Sequence, residues 1–194
     1  LIAWQALNKL ADPRSKKFTD TFLVVTPGIT IRDRLRVLLP SDADSYYQQL
    51  DILPSDRRVE LGRAKIVITN FHSFLRRERG DAAKLTKTIL RQAETGAFTE
   101  TPAQMVNRVC RELGSKKNIV VLNDEAHHCY RARPSEDEEK IFADEKDEVK
   151  RRDEDARVWL AGLEAVQQKL GIRTIYEQMI LDNLRRAGVQ NTRK

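Results

Sequence analysis

Asp124, Glu125 and His127 are the residues of this chain best suited to chemistry, and they close the run Asn118-Ile119-Val120-Val121-Leu122-Asn123. Four consecutive apolar residues, mostly β-branched, lead straight into the paired carboxylates. A continuous apolar run of this kind reads as a strand buried on both faces, as in a parallel α/β sheet. Ligands in such sheets sit beyond the carboxyl ends of the strands, where Asp124 and Glu125 fall. One carboxylate can hold Mg²⁺, largely through water. Its neighbour can orient or deprotonate an attacking water.

Two other readings of these residues stand beside that one. An acidic strand end can simply face water. His127-His128-Cys129 invites a metal site, but consecutive residues of an extended segment point to opposite sides, and the spacing matches no zinc pattern. His128 and Cys129 are read as packing or hydrogen-bonding residues. A metal-dependent hydrolase built on Asp124, Glu125 and His127 would need further ligands to converge, and the sequence supplies no second cluster.

The elements that must position the pair alternate between strand and helix. Residues 1–10 read as an amphipathic helix with Leu1, Trp4, Leu7 and Leu10, together with Ala3 and Ala6, on its apolar side, ended by Asp12-Pro13. Residues 21–26 form a first buried strand. Pro27-Gly28 turns the chain, and Thr30 is expected to N-cap a helix over 31–39, closed by Pro40. Residues 41–53 read as loop, and 55–61 as a short helix with Gly62 as its stop. Residues 64–69 form a second buried strand, after which Asn70-Phe71-His72-Ser73-Phe74 leaves the sheet. Residues 82–92 carry helical potential. Thr101-Pro102-Ala103-Gln104 is a strong helix start, followed by Met105, Val106, Val109, Cys110 and Leu113 on one face and Gly114 as the stop. After the Asp124 strand, 133–157 is a mixed-charge run read as solvated loop or exposed helix. Ala156, Trp159, Leu160, Leu163, Val166 and Leu170 then trace a helix face stopped by Gly171. Residues 173–176 form a short strand, and 177–187 a last helical pattern. Such alternation argues for an α/β parallel sheet.

Composition bounds the class. The chain has 194 residues, 40% apolar and 33% charged, with a net charge of +6. Its apolar runs are too short to span a bilayer, and its start lacks the layout of a signal peptide. Two cysteines, Cys110 and Cys129, suit a reducing compartment, so a cytoplasmic protein is expected. The mild positive charge permits nucleic-acid binding without requiring it. The first residue is Leu, which suggests a piece of a longer protein.

Asp124-Glu125-Ala126-His127 resembles the Walker B element (motif II) of superfamily 2 helicases of the DEAH type. The fuller string from Asn123 to Tyr130 resembles the motor subunit of type III restriction enzymes and related restriction helicases. Residues 22–35, Phe-Leu-Val-Val-Thr-Pro-Gly-Ile-Thr-Ile-Arg-Asp-Arg-Leu, look like motif Ia with its flanking strand and helix. Residues 64–74, Ala-Lys-Ile-Val-Ile-Thr-Asn-Phe-His-Ser-Phe, look like a motif Ib-type element. Order and spacing agree with a first RecA-like motor domain over 1–176, interrupted by an exposed insertion at 133–157. Residues 177–194 do not look like the family and read as a helix and tail.

The resemblance implies a P-loop NTPase-type parallel sheet with helices on both faces. It also implies ATP-driven translocation along double-stranded DNA, with a nuclease region elsewhere and a modification (methyltransferase) subunit as partner. ATP and Mg²⁺ would be the cofactors. Asp124 would hold Mg²⁺ through water, Glu125 would activate the hydrolytic water, and His127 would link the nucleotide site to the nucleic-acid side. Thr26, Pro27, Gly28, Arg32, Thr69 and Asn70 would lie near the DNA backbone.

The departures are as informative. The sequence contains no Gly-x-x-x-x-Gly-Lys-Thr/Ser loop, which is expected just upstream of Leu1. A Ser-Ala-Thr motif expected soon after Tyr176 is absent, as are a second motor domain and a nuclease. The expectation is a fragment without ATPase activity of its own. The alternative is a non-enzymatic remnant that keeps the fold and binds nucleic acid or a partner. Arg32, Arg34 and Arg36 serve either as phosphate ligands or as the solvated face of a helix. His72 is structural or DNA-facing, and Trp4 and Trp159 read as core anchors.

Overall fold

The computed structural model describes residues 1–77, 99–124 and 143–177, with the side chains of 143–153 and 177 outside that description. Four strands form one sheet: β1 (Thr21–Thr26), β2 (Lys65–Asn70), β3 (Ile119–Asn123) and β4 (Ile172–Glu177). Their order is β2-β1-β3-β4, and every pairing is parallel. The helices are α1 (Ile2–Ala11), α2 (Ile29–Arg34), α3 (Tyr46–Gln49), α4 (Ser55–Leu61), α5 (Pro102–Val109) and α6 (Ala143–Leu170). Short 3-10 turns cover Leu35–Leu38, Phe71–Phe74 and Arg111–Leu113.

The side-chain alternation of each strand feeds two cores. Leu23, Val25, Val67, Ile119 and Val121 pack with Met105 and Val106 of α5 and Trp159 and Val166 of α6. Phe22, Val24, Ile66 and Val120 pack on the other face with Ile2 and Ala6 of α1, Leu61 of α4 and Tyr47. Every residue of β1 is buried, as a central strand covered on both faces requires. The α/β reading, with a parallel sheet and helices on both faces, therefore holds, and the expected strands lie within a residue or two of the observed ones.

Several local expectations do not hold. In α1 the buried residues are Ile2, Gln5 and Ala6, whereas Leu1 and Trp4 are 52% and 56% exposed. The cause is a tertiary anchor: Gln5 Oε1 accepts the Thr19 amide at 3.2 Å, turning that side of the helix toward the sheet. Trp4 rests edge-on against Phe18 at 5.2 Å. Thr30 is not an N-cap, because α2 starts at Ile29 with extended Gly28 before it. The Thr26 hydroxyl donates to the Gly28 carbonyl at 2.9 Å, tightening the turn so that the helix begins early. That helix ends at Arg34 and continues only as a 3-10 turn. Residues 46–49, expected as loop, form a helical turn that buries Tyr47.

Gly62 ends α4 with φ −59°, so its left-handed freedom is not used there, whereas Gly171 after α6 does adopt φ +72°. Leu160 is 48% exposed and not part of the α6 core face. Of the charged run 133–157, residues 133–142 lie outside the described residues and 143–157 belong to α6. Ala156 is buried there, with Glu154 and Arg157 exposed. The helical patterns at 82–92 and 178–187 also lie outside the described residues. Among the described residues, no helix is long and apolar enough to cross a membrane.

Candidate active-site edge

The carboxyl ends of β1, β2 and β3 meet at one edge of the sheet. Thr26 is in register with Asn70 and Val25 with Asn123, and the Asp124 amide donates to the Val25 carbonyl at 2.9 Å. Thr26-Pro27-Gly28, Thr69-Asn70 and Asp124 therefore leave the sheet side by side. At a strand spacing of about 4.8 Å, the three exits span roughly 10 Å, within reach of a single ligand. Asp124 is half-buried, directly after β3. Glu125 and His127, with His128 and Cys129, lie outside the described residues.

The polar atoms contributed by β1 and β2 are turned inward. Thr26 is 1% exposed, and its hydroxyl bridges toward the Gly28 and Thr69 carbonyls at 2.9 and 3.4 Å. Thr69 is buried, its hydroxyl 3.4 Å from the Asn70 carbonyl. Asn70 caps the 3-10 turn that follows: its Oδ1 accepts the Ser73 amide at 3.1 Å and the Ser73 hydroxyl at 2.8 Å. Arg32 forks onto Asp33 Oδ1 from Nε at 3.0 Å and Nη2 at 2.7 Å. Gly28 is half-buried, with nothing within 4 Å of the position a Cβ would take, so close packing does not demand glycine there. His72 is exposed, stacked on Phe71 at 4.0 Å.

Two features of this edge escaped the sequence reading. Asn123 is 2% exposed, and neither its Nδ2 nor its Oδ1 has a hydrogen-bond partner. The available signal was a carboxamide terminating an apolar strand. The second feature is a clamp on the 71–75 turn. Arg108 of α5 donates to Glu100 from Nε at 2.9 Å and from Nη2 at 2.7 Å. It also donates to the Ser73 and Leu75 carbonyls, at 3.0 Å each. The hydrogen bonds from Arg108 hold the Glu100 carboxyl below its ordinary range. No short-range sequence pattern announces a pairing of this kind.

The Cys110 thiol, under α5, is pushed up to about 12 by burial, against the pull of Lys169. That makes it a packing residue, because the thiolate is the reactive form. Among the described residues no group of three or more His, Cys, Asp or Glu side chains is disposed to hold a metal. A Mg²⁺ site that works with nucleotide phosphates asks the protein for only one or two carboxylates, and Asp124 has that donor chemistry. For the triphosphate, no glycine-rich loop with its lysine occurs in the sequence. No family model, curated protein or solved structure matches the chain.

Proposed function

We propose that this sheet edge is the nucleotide-hydrolysis edge of a partial RecA-like motor domain, belonging to the ATP-driven DNA translocase of a type III-like restriction system. One observation carries the reading: Asp124 leaves β3 beside Thr26-Pro27-Gly28 and Thr69-Asn70, in a sheet whose strands all run the same way. These are the three stretches that resemble motifs II, Ia and Ib. Asp124 would hold Mg²⁺ through water, and Glu125 would activate the hydrolytic water. Bound Mg²⁺ would neutralise charge on the phosphates. Thr26, Thr69 and Asn70 act as the scaffold of the edge: their hydrogen bonds hold the exits of β1 and β2 in shape.

These 194 residues alone do not turn over ATP. Phosphoryl transfer to water depends on positioning and charge stabilisation, and the sequence lacks the phosphate loop. An arginine delivered to the γ-phosphate is typically worth about 10³–10⁵ in rate, and a second motor domain to deliver one is also absent from these residues. A coupled ATPase assay with and without duplex DNA, run beside Glu125→Gln, tests this. No DNA-stimulated turnover is expected from either chain. Turnover that vanishes in Glu125→Gln would show a catalytically complete chain.

A second reading, a non-catalytic remnant that keeps the fold, is favoured by the inward engagement of Thr26, Thr69 and Asn70. Mg²⁺ titration followed by NMR of the backbone amides separates the two. A response centred on Asp124 supports the hydrolytic edge, and its absence supports the remnant.

A further inference from the structure

The opposite edge of the sheet, where the strands begin, is strongly basic. Arg63 and Lys65 stand at the start of β2, and Lys116 and Lys117 precede β3. Lys169 closes α6 ahead of β4, and Arg111 lies on the 3-10 turn before β3. Two depressions flank Lys116. One, of about 610 Å³, is lined by Arg111, Lys117 and Lys169 together with Gly114 and Ser115. The other, of about 230 Å³, lies between α1 and α4 and includes Arg63. They adjoin across the sheet edge, because the Lys65 amide donates to the Asp20 carbonyl at 2.8 Å and Lys116 Nζ reaches Asp20 Oδ2 at 2.6 Å.

Among the described residues the charge there is only partly neutralised. Asp20 is paired with Lys116, and Glu60 with Arg57 at 2.8 Å. Burial alone would raise the Asp20 pKa, but the hydrogen bonds from Lys116 and Thr21 and the charge of Lys116 hold it below its ordinary value. Among the described residues, Arg63, Lys65, Arg111, Lys117 and Lys169 have no carboxylate partner. Lys117 donates to the Lys169 carbonyl, and Lys169 donates to the Ala103 carbonyl at 2.8 Å and to Asn107 Oδ1, all neutral oxygens.

The ordinary explanation is that cations gather at helix C-termini. Helices α4, α5 and α6 end at this edge, each worth about half a negative charge. Unpaired Glu112 adds one full negative charge. Together these offset roughly half of the five cations that have no carboxylate partner among the described residues.

We propose that this strand-start edge is a docking surface for the phosphate backbone of duplex nucleic acid, on the side of the sheet away from Asp124. A four-stranded edge at about 4.8 Å per strand is roughly 15 Å wide, which faces about four phosphates of one strand at 3.4 Å each. No exposed large apolar side chain lines either depression among the described residues. The surface therefore has nothing to stack on a base and nothing to insert into a bilayer. Binding is sequence-independent and does not depend on nucleotide hydrolysis.

The test is fluorescence anisotropy of the 194-residue chain with a duplex of arbitrary sequence across a salt series, comparing the parent with Arg111→Gln/Lys117→Gln. Both residues are exposed, so the melting temperature should not move. Affinity at low salt should fall about tenfold, and the slope of log K against log salt should flatten by about 1.8. Arg32→Gln/Arg34→Gln, at the other edge, is the companion variant. Retention of the parent slope by Arg111→Gln/Lys117→Gln overturns the proposal, as does loss of binding confined to the companion. So does absence of binding by the parent chain, or tighter association with phosphatidylserine vesicles than with DNA at equal salt.

Discussion

Arg108 and Glu100 form a two-pronged ion pair, at 2.9 and 2.7 Å, between α5 and the residue just before its N-cap. The same guanidinium caps the Ser73 and Leu75 carbonyls, so one side chain fixes the path of the chain as it leaves the candidate site edge. Both side chains are largely covered, with relative exposures of 24% and 13%.

Arg108→Ala should therefore lower the unfolding free energy by about 2 kcal/mol, between the worth of an exposed pair and that of a fully buried one. The pH dependence has a definite sign. The folded-state pKa of Glu100 is depressed, so the pair contributes fully above the unfolded glutamate pKa of about 4.3. That contribution is lost as pH falls through the lower folded value. Urea titrations on both sides of that window check this. A parent chain and an Arg108→Ala chain that lose stability equally on acidification would exclude the linkage.

Gly162 of α6 sits against Phe74, where an added Cβ would lie 2.6 Å from the ring Cγ and 2.8 Å from Phe74 Cβ. Alanine favours a helix over glycine by about 1 kcal/mol, but overpacking here costs about 1–3 kcal/mol. The atoms it meets are at the root of Phe74, which also packs edge-on to Trp159 at 5.8 Å. Gly162→Ala should lower the melting temperature, and Phe74→Leu in the same chain, which keeps the Cβ and Cγ that the new methyl meets, should not restore it. A higher melting temperature for the single variant would show that the turn gives way freely.

Asn123 keeps both polar atoms of its side chain unpartnered at 2% exposure. An unsatisfied buried group costs about 1–3 kcal/mol, and replacement by an apolar group of similar shape is neutral or stabilising. Asn123→Leu should therefore leave stability equal or raise it by about 1 kcal/mol in chemical denaturation. A loss of more than about 1 kcal/mol would mean that the carboxamide is satisfied in solution.

The two tryptophans should behave differently. Trp159 is 2% exposed and central to the core beneath β3, so Trp159→Ala should cost about 3–5 kcal/mol. Trp4 is more than half exposed, and Trp4→Ala should cost less than about 1 kcal/mol. Equal losses in denaturant titrations would contradict the orientation of α1.

The elements themselves were legible because their signals are local. Runs such as Phe22-Leu23-Val24-Val25 and Ile119-Val120-Val121-Leu122 demand burial on both faces, which a parallel sheet between helix layers provides. The capping box is reciprocal between Thr101 and Gln104, with both hydrogen bonds formed at 3.0 and 3.3 Å; four residues of sequence suffice to specify it. Once the strands were parallel, the shared exit of Thr26, Asn70 and Asp124 followed from direction alone.

What the sequence by itself determined about this protein is thus the strands, their common direction and the edge where Asp124 emerges. Only the tertiary structure decided how α1 turns about its axis: Ile2, Gln5 and Ala6 face the core, with Gln5 bonded to the Thr19 amide, and Trp4 is left exposed. It likewise decided that Arg108 meets Glu100 and the 73–75 carbonyls, and that Arg111, Lys117 and Lys169 gather at one edge without carboxylate partners among the described residues. Helix and strand formation depend on neighbours within a few residues. Helix rotation and charge convergence depend on partners from 14 to 52 residues away, whose separation in space the fold alone fixes.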